Sequence, residues 1–415
     1  MKKKMHYAAR ALLGLGCAAL SPLARAMPGD TLQPFVTYSI TRDSNLFRLP
    51  SNLNPQADTY QIYSAGALLD WKQGRQEVTG QLSANKVRYS RFTFLNTQGH
   101  NVQLQWNWQS GRQWSGELSY GNQVSQVPFT NINAQVTNTD VSNKNAGFKA
   151  HFLVAPFWRL NAGISQSQAS YNAVQLQGSN QKLDKVEGGM DYLARDNSKV
   201  GLTYAYTRGT VPDTNACAPL ACMVSNNFRQ QDLRTDVYWN FSGKTKLYGY
   251  VGLTNRTYDN SPVGLLSQFG INSLTRNFTG ITGFLYASWQ ITGETSLSGN
   301  IYRYLGPVQG VSTYGTYVIY QGAKLGPVWQ PTPKTSLSAQ GFVERQDYRG
   351  NAYGTAFTIS TQPRYTVTGL SLSLNWQPFI STTIGAVVQT GSRNSNLPNL
   401  GFRYNSVNLN VQFVF

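Results

Sequence analysis

Val102, Leu104, Trp106 and Trp108 alternate along this chain with Gln103, Gln105 and Asn107. Leu370, Leu372, Leu374 and Trp376 alternate in the same way with Ser371, Ser373 and Asn375, and Val407, Leu409, Val411, Phe413 and Phe415 with Ser406, Asn408, Asn410 and Gln412. Period two over that many residues marks a strand with one apolar and one polar face. The polar face is made of Ser, Asn, Gln and Thr, and it recurs strand after strand. A soluble propeller has a comparable repeat, but each of its blades buries both faces of a sheet. A hydrogen-bonding face on every strand instead fits a sheet that is wet inside and greasy outside.

The connections alternate in length. Short ones follow Trp71 (KQGR), Trp108 (QSGR), Phe241 (SGKT), Ile291 (TGET), Trp329 (QPTPKT) and Trp376 (QPFIST). Long polar ones fall near residues 43 to 56, 126 to 142, 210 to 227, 259 to 276 and 349 to 362. A sheet in hydrocarbon cannot leave edge N–H and C=O groups unpaired, and only closure removes the edges. The expected fold is all-β, a transmembrane antiparallel up-and-down barrel of about 18 strands with periplasmic turns and extracellular loops. Trp71, Trp106, Trp108, Trp239, Trp289, Trp329 and Trp376 would form the periplasmic girdle.

Composition and targeting agree with this. There are 24 Tyr, 19 Phe and 9 Trp but only 13% charged residues, against about a quarter in a soluble domain. No apolar run approaches the roughly 18 residues of a membrane-spanning helix. Lys2, Lys3 and Lys4, the apolar run Ala11 to Leu20 and Ala24-Arg25-Ala26 predict a secretory signal over residues 1–26, with the barrel over 27–415. Leu15-Gly16-Cys17 only weakly resembles a lipoprotein site. The formal charge of +17 includes five basic residues of that leader. The remaining Lys and Arg are scattered, so a nucleic-acid partner is not indicated. Cys217 and Cys222, in CAPLAC, suit a small disulfide loop after export.

Catalysis has little to stand on. His100 and His151 are the only histidines after the leader, and no nucleophile elbow, metal-ligand spacing or phosphate loop is present. No cofactor or metal is implied. Parity places Lys185, Glu187, Asp191 and Arg195 on the lumen side of a strand over 183–195, and Asp232, Arg234 and Asp236 on that of a strand over 229–241. They form either a mixed-charge filter or ion pairs that hold the wall. Tyr238, Tyr248, Tyr250, Phe284, Tyr286, Tyr302 and Tyr304 share the lumen parity and would offer a stacking track for sugar rings, unless a bulge turns them into the girdle.

The stretch LQPFVTYSITRDSNLFRLP carries a further signal. Its residues Asp43, Ser44, Asn45, Leu46, Phe47 and Arg48, with Tyr38 before them, resemble the start of the EpsL-type outer-membrane proteins of exopolysaccharide operons, within the broader group of β-barrel porins. That resemblance implies a barrel in the Gram-negative outer membrane that exports polysaccharide together with synthesis and export components. Read from the residues alone, Asp43 and Asn45 suit a turn, capping local N–H groups. A general or sugar-selective diffusion porin and a surface-binding barrel working through its loops are the rival readings. The final Phe413 and Phe415 resemble the signal read by the barrel assembly machinery, and the surrounding partners would be outer-membrane lipid and lipopolysaccharide.

Overall fold

The computed structural model describes residues 31–131, 138–194, 196, 198–212, 214–215, 223–259, 276–308, 315–350 and 362–415. The expected leader over 1–26, Arg195, Cys217 and Cys222 lie outside them. Eighteen strands build the barrel. The first nine are β1 (Leu32–Asp43), β2 (Asp58–Gln73), β3 (Gln76–Tyr89), β4 (Thr97–Ser110), β5 (Trp114–Gln126), β6 (Asp140–Ala155), β7 (Trp158–Tyr171), β8 (Gln181–Leu193) and β9 (Lys199–Thr210). A two-residue ribbon, β10 (Thr214–Asn215) with β11 (Met223–Val224), stands apart in the following loop. The barrel continues with β12 (Phe228–Asn240), β13 (Thr245–Tyr258), β14 (Phe278–Gln290), β15 (Thr295–Pro307), β16 (Tyr317–Thr332), β17 (Thr335–Arg349), β18 (Arg364–Phe379), β19 (Thr382–Ser395) and β20 (Phe402–Val414).

Each strand pairs antiparallel with its neighbours, β9 with β12 across the ribbon, and β1 closes on β20 from Phe35↔Val414 to Asp43↔Ser406. No edge is left in the barrel wall, which is the condition for placing a sheet in lipid. The short connections gather at one end. Gly74 and Gly111 take positive φ, 59° and 60°, where the QGR and SGR turns reverse the chain. Sequence reading missed two turns of this set: Pro156-Phe157 carries no glycine, and the turn after β8 begins at Ala194 because that strand ends at Leu193, short of the expected 195.

The two faces differ as the alternation requires. Ile164, Leu253, Ile281, Ile301 and Leu325 are 57–60% exposed on the outside, where a soluble protein would bury them. Trp71, Trp106, Trp239, Trp289, Trp329 and Trp376 are exposed beside the short turns, while Trp108 lies stacked over Phe148 with ring centroids 6.2 Å apart. Phe413 and Phe415 join this outer girdle, and the Phe415 N–H donates to the Pro34 carbonyl at 2.9 Å. The molecule is a closed outer-membrane β-barrel of the Gram-negative type. Among the described residues there is no single core, only small clusters under the extracellular loops, such as Leu46, Phe47, Tyr89 and Leu95.

Candidate functional site

One arc of the lumen wall, from β5 to β13, carries a connected network of charges. Glu187 on β8 is the hub: Lys185 approaches it at 2.5 Å, Arg234 at 3.1 Å and Lys149 at 3.4 Å. Lys149 also reaches Glu117 at 3.7 Å, and Arg234 pairs with Asp236 at 3.1 Å. Nearer the short turns, Asp191 is buried between Arg159 and Lys199. The Thr203 hydroxyl donates to Asp236 at 2.5 Å, and that of Thr254 to Asp232 at 2.5 Å. Six of the seven charges named from sequence therefore stand on one wall. Lys149, Arg159 and Lys199 join them, brought in by register and not by any local motif.

The aromatic residues follow on the next strands in two cross-strand rows. Tyr238, Tyr248 and Tyr286 are register partners on β12, β13 and β14, and Tyr250, Phe284 and Tyr302 on β13, β14 and β15. Tyr248 and Tyr286 lie 4.7 Å apart between ring centroids. Tyr304 stacks on Tyr320 of β16 at 5.0 Å and 8°, a partner sequence reading had not named. Arg234 joins the two halves, its guanidinium 5.4 Å from the Tyr250 ring centroid.

Gly322 explains how this wall is held. The Tyr302 hydroxyl crosses β16 to donate to Glu344 of β17 at 2.5 Å, passing over Gly322, where an added Cβ would stand 2.8 Å from that hydroxyl and 2.6 Å from the Val343 carbonyl. A side chain at 322 would push the ring aside. Gly322→Ala is expected to break the Tyr302–Glu344 bond and alter single-channel conductance with the barrel still folded. An unchanged conductance would remove this role.

Between the two arcs the wall forms a recess of about 290 Å³, lined among others by Lys185, Asp232, Arg234, Tyr250, Thr254, Arg256 and Tyr304. Arg256 donates from Nε to Gln230 at 2.8 Å and lies over the Phe228 ring at 4.1 Å. Among the described residues it forms no ion pair with a carboxylate. His151 faces the lumen with Nδ1 2.6 Å from Asn161 Oδ1, and its described partners include no hydroxyl nucleophile.

The extracellular mouth is narrowed by its own loops. Thr130, in the β5–β6 connection, accepts a bond from Arg393 of β19 at 2.8 Å, so this connection reaches a strand on the other side of the closure. Phe129 packs against Phe47 at 5.1 Å. Phe47 belongs to the DSNLFR stretch, which is a buried clip. The Asp43 carboxylate accepts from the Asn45 N–H at 2.9 Å and from Arg48 at 2.7 and 2.8 Å. The Asn45 amide donates to the carbonyls of Leu49 at 2.7 Å and Arg403 at 2.9 Å. The left-handed backbone falls on Arg48, φ 55°, whose guanidinium lies 3.8 Å from the Tyr404 ring centroid.

No family model matches the chain, and no curated protein matches it. Solved structures do. OpdK of Pseudomonas aeruginosa, determined with vanillate, is similar at 11% identity over 92% of this chain and 98% of that one, with a TM-score of 0.46. OccK9 (OpdG) of the same organism is similar at 13% identity over 92% and 98%, TM-score 0.49. A BenF-like porin of Pseudomonas fluorescens Pf-5 is similar at 10% over 92% and 99%, TM-score 0.48. These findings correct the expectation drawn from Asp43 to Arg48. The similar structures named are outer-membrane proteins such as OpdK and a BenF-like porin and not EpsL-type exopolysaccharide proteins, and the clip geometry accounts for the stretch without that resemblance. Polysaccharide export, which rested on the resemblance, falls with it.

Proposed function

We propose that this protein is a non-enzymatic diffusion porin that admits small polar solutes, favouring those that join a ring to an acidic group. The observation that carries this reading is the recess in the lumen wall. Arg256, Lys185 and Arg234 offer positive charge there, and Tyr250 and Tyr304 offer ring faces against which a sugar or aromatic ring can stack. Thr254 and Asp232 are within the same recess and suit hydroxyl groups. A mouth crossed by the β5–β6 connection favours small solutes over a polymer.

Proteoliposomes carrying the protein are expected to take up a monosaccharide uronic acid faster than the neutral monosaccharide of the same size. Arg256→Gln is expected to slow the acid about threefold to tenfold, the scale of one charge contact worth about 1 kcal/mol, and to leave the neutral sugar unaffected. Equal uptake of the two sugars in the wild type, with no effect of the substitution, would reduce the protein to a general porin.

A further inference from the structure

The outward face carries its charges in one place only. On the described barrel strands, every outward-facing Lys, Arg, Asp or Glu lies close to the extracellular end, and the rest of that face is apolar or uncharged. Most of these charges are basic, and one group of four lies on β15, β17 and β18. Arg303 and Arg345 are both exposed and flank Gln321 of β16 in register, so their strands lie roughly 10 Å apart. Arg364 opens β18 opposite Asp347, and Arg349 ends β17. Asp347 is the one acid in the group, bonded to Arg345 at 3.0 Å and near Arg349 at 4.0 Å. Four guanidinium groups thus stand beside a single carboxylate, which pairs with two of them.

Below this group β15 and β17 turn greasy at once. Ile301 is two residues from Arg303, and Val343 two from Arg345, and both are exposed on the outside. The surface therefore has a cationic head and an apolar tail in the order that an anionic lipid of the outer leaflet presents them. We propose that the outer face of β15 to β18 is a binding site for the phosphorylated head group of lipopolysaccharide, with its acyl chains lying along Ile301, Leu325 and Val343. Arginine suits phosphate because its planar fork donates two parallel hydrogen bonds. The site is independent of what passes through the lumen.

The test is native mass spectrometry of the detergent-solubilised, folded barrel with purified lipid A as the probe. Lipid A stripped of its phosphates and inorganic phosphate alone are run beside it. The wild type should retain phosphorylated lipid A, bind the stripped form far more weakly and ignore inorganic phosphate. R303Q/R345Q/R364Q should bind lipid A on the order of a hundredfold more weakly, from three membrane-surface charges lost. K144Q/K182Q/R229Q, which removes the same charge elsewhere on the outer perimeter, should bind like the wild type. Equal binding of phosphorylated and stripped lipid A by the wild type would overturn the proposal without any variant. So would an unaffected triple arginine variant, or an equal loss in both triples, which would mean a diffuse basic belt and no site.

Discussion

Glu187→Gln is expected to convert a nearly balanced lumen wall into one that favours anions. Glu187 faces Lys185, Arg234 and Lys149 within 3.4 Å, and no other lumen carboxylate is within 4 Å of three cations among the described residues. Removing its charge leaves Arg234 with Asp236 and Lys149 with Glu117, but Lys185 with no carboxylate at that distance. At a water-like dielectric, one unit charge about 4 Å from a passing ion is worth roughly 1 kcal/mol. That corresponds to a factor of about five in the ratio of anion to cation permeability. The measurement is the reversal potential across a planar bilayer under a salt gradient. Glu187→Asp should keep the wild-type sign, and a reversal potential unmoved by Glu187→Gln would mean that ions pass elsewhere.

The second large effect concerns the wall itself. Leu372 is exposed on the outside of β18, and Ser373, one residue on, faces the lumen. Leu372→Arg is expected to cost about 2 to 4 kcal/mol of stability in a bilayer, the cost of an arginine near the midplane. Ser373→Arg should cost far less, since the side chain enters water. Unfolding by denaturant from lipid vesicles reads both. Equal losses would mean that the faces of β18 are reversed, because a slip of one residue exchanges every side chain between lipid and lumen.

Much of this was legible before the structure. Alternation at residues such as Leu370 to Trp376 carries strand, face and lipid contact together, because a strand in a barrel has no other way to place its side chains. Turn chemistry at QGR and SGR marked the short-turn end. What escaped were relations between strands. Lys149, Arg159 and Lys199 look like isolated basic residues in the chain, and become part of the site only when β6, β7 and β9 fall into register with β8. Arg256 meets the recess through the pairing of β12 with β13. Asp43 to Arg48 misled for a related reason: a motif that clips a loop to the rim resembles a family signature when its partners, Arg403 and Tyr404, lie at the other end of the sequence.

That clip bears on how the barrel comes together. The seam between β1 and β20 joins residues more than 360 positions apart, with Ser44 and Asn405 bonded in both directions, Ser44 N–H to the Asn405 carbonyl at 2.9 Å and Asn405 N–H to the Ser44 hydroxyl at 2.8 Å. Every other junction in the wall is made by strands adjacent in order and can zip from a hairpin, whereas this one bears the longest loop-closure entropy and gains nothing until both partners are in place. Sealing is therefore expected to be the slow, late event. Asn45 and Arg48 latch that joint from one side, through the Arg403 carbonyl and the Tyr404 ring, and contacts made only after sealing would slow its reopening more than they speed its making.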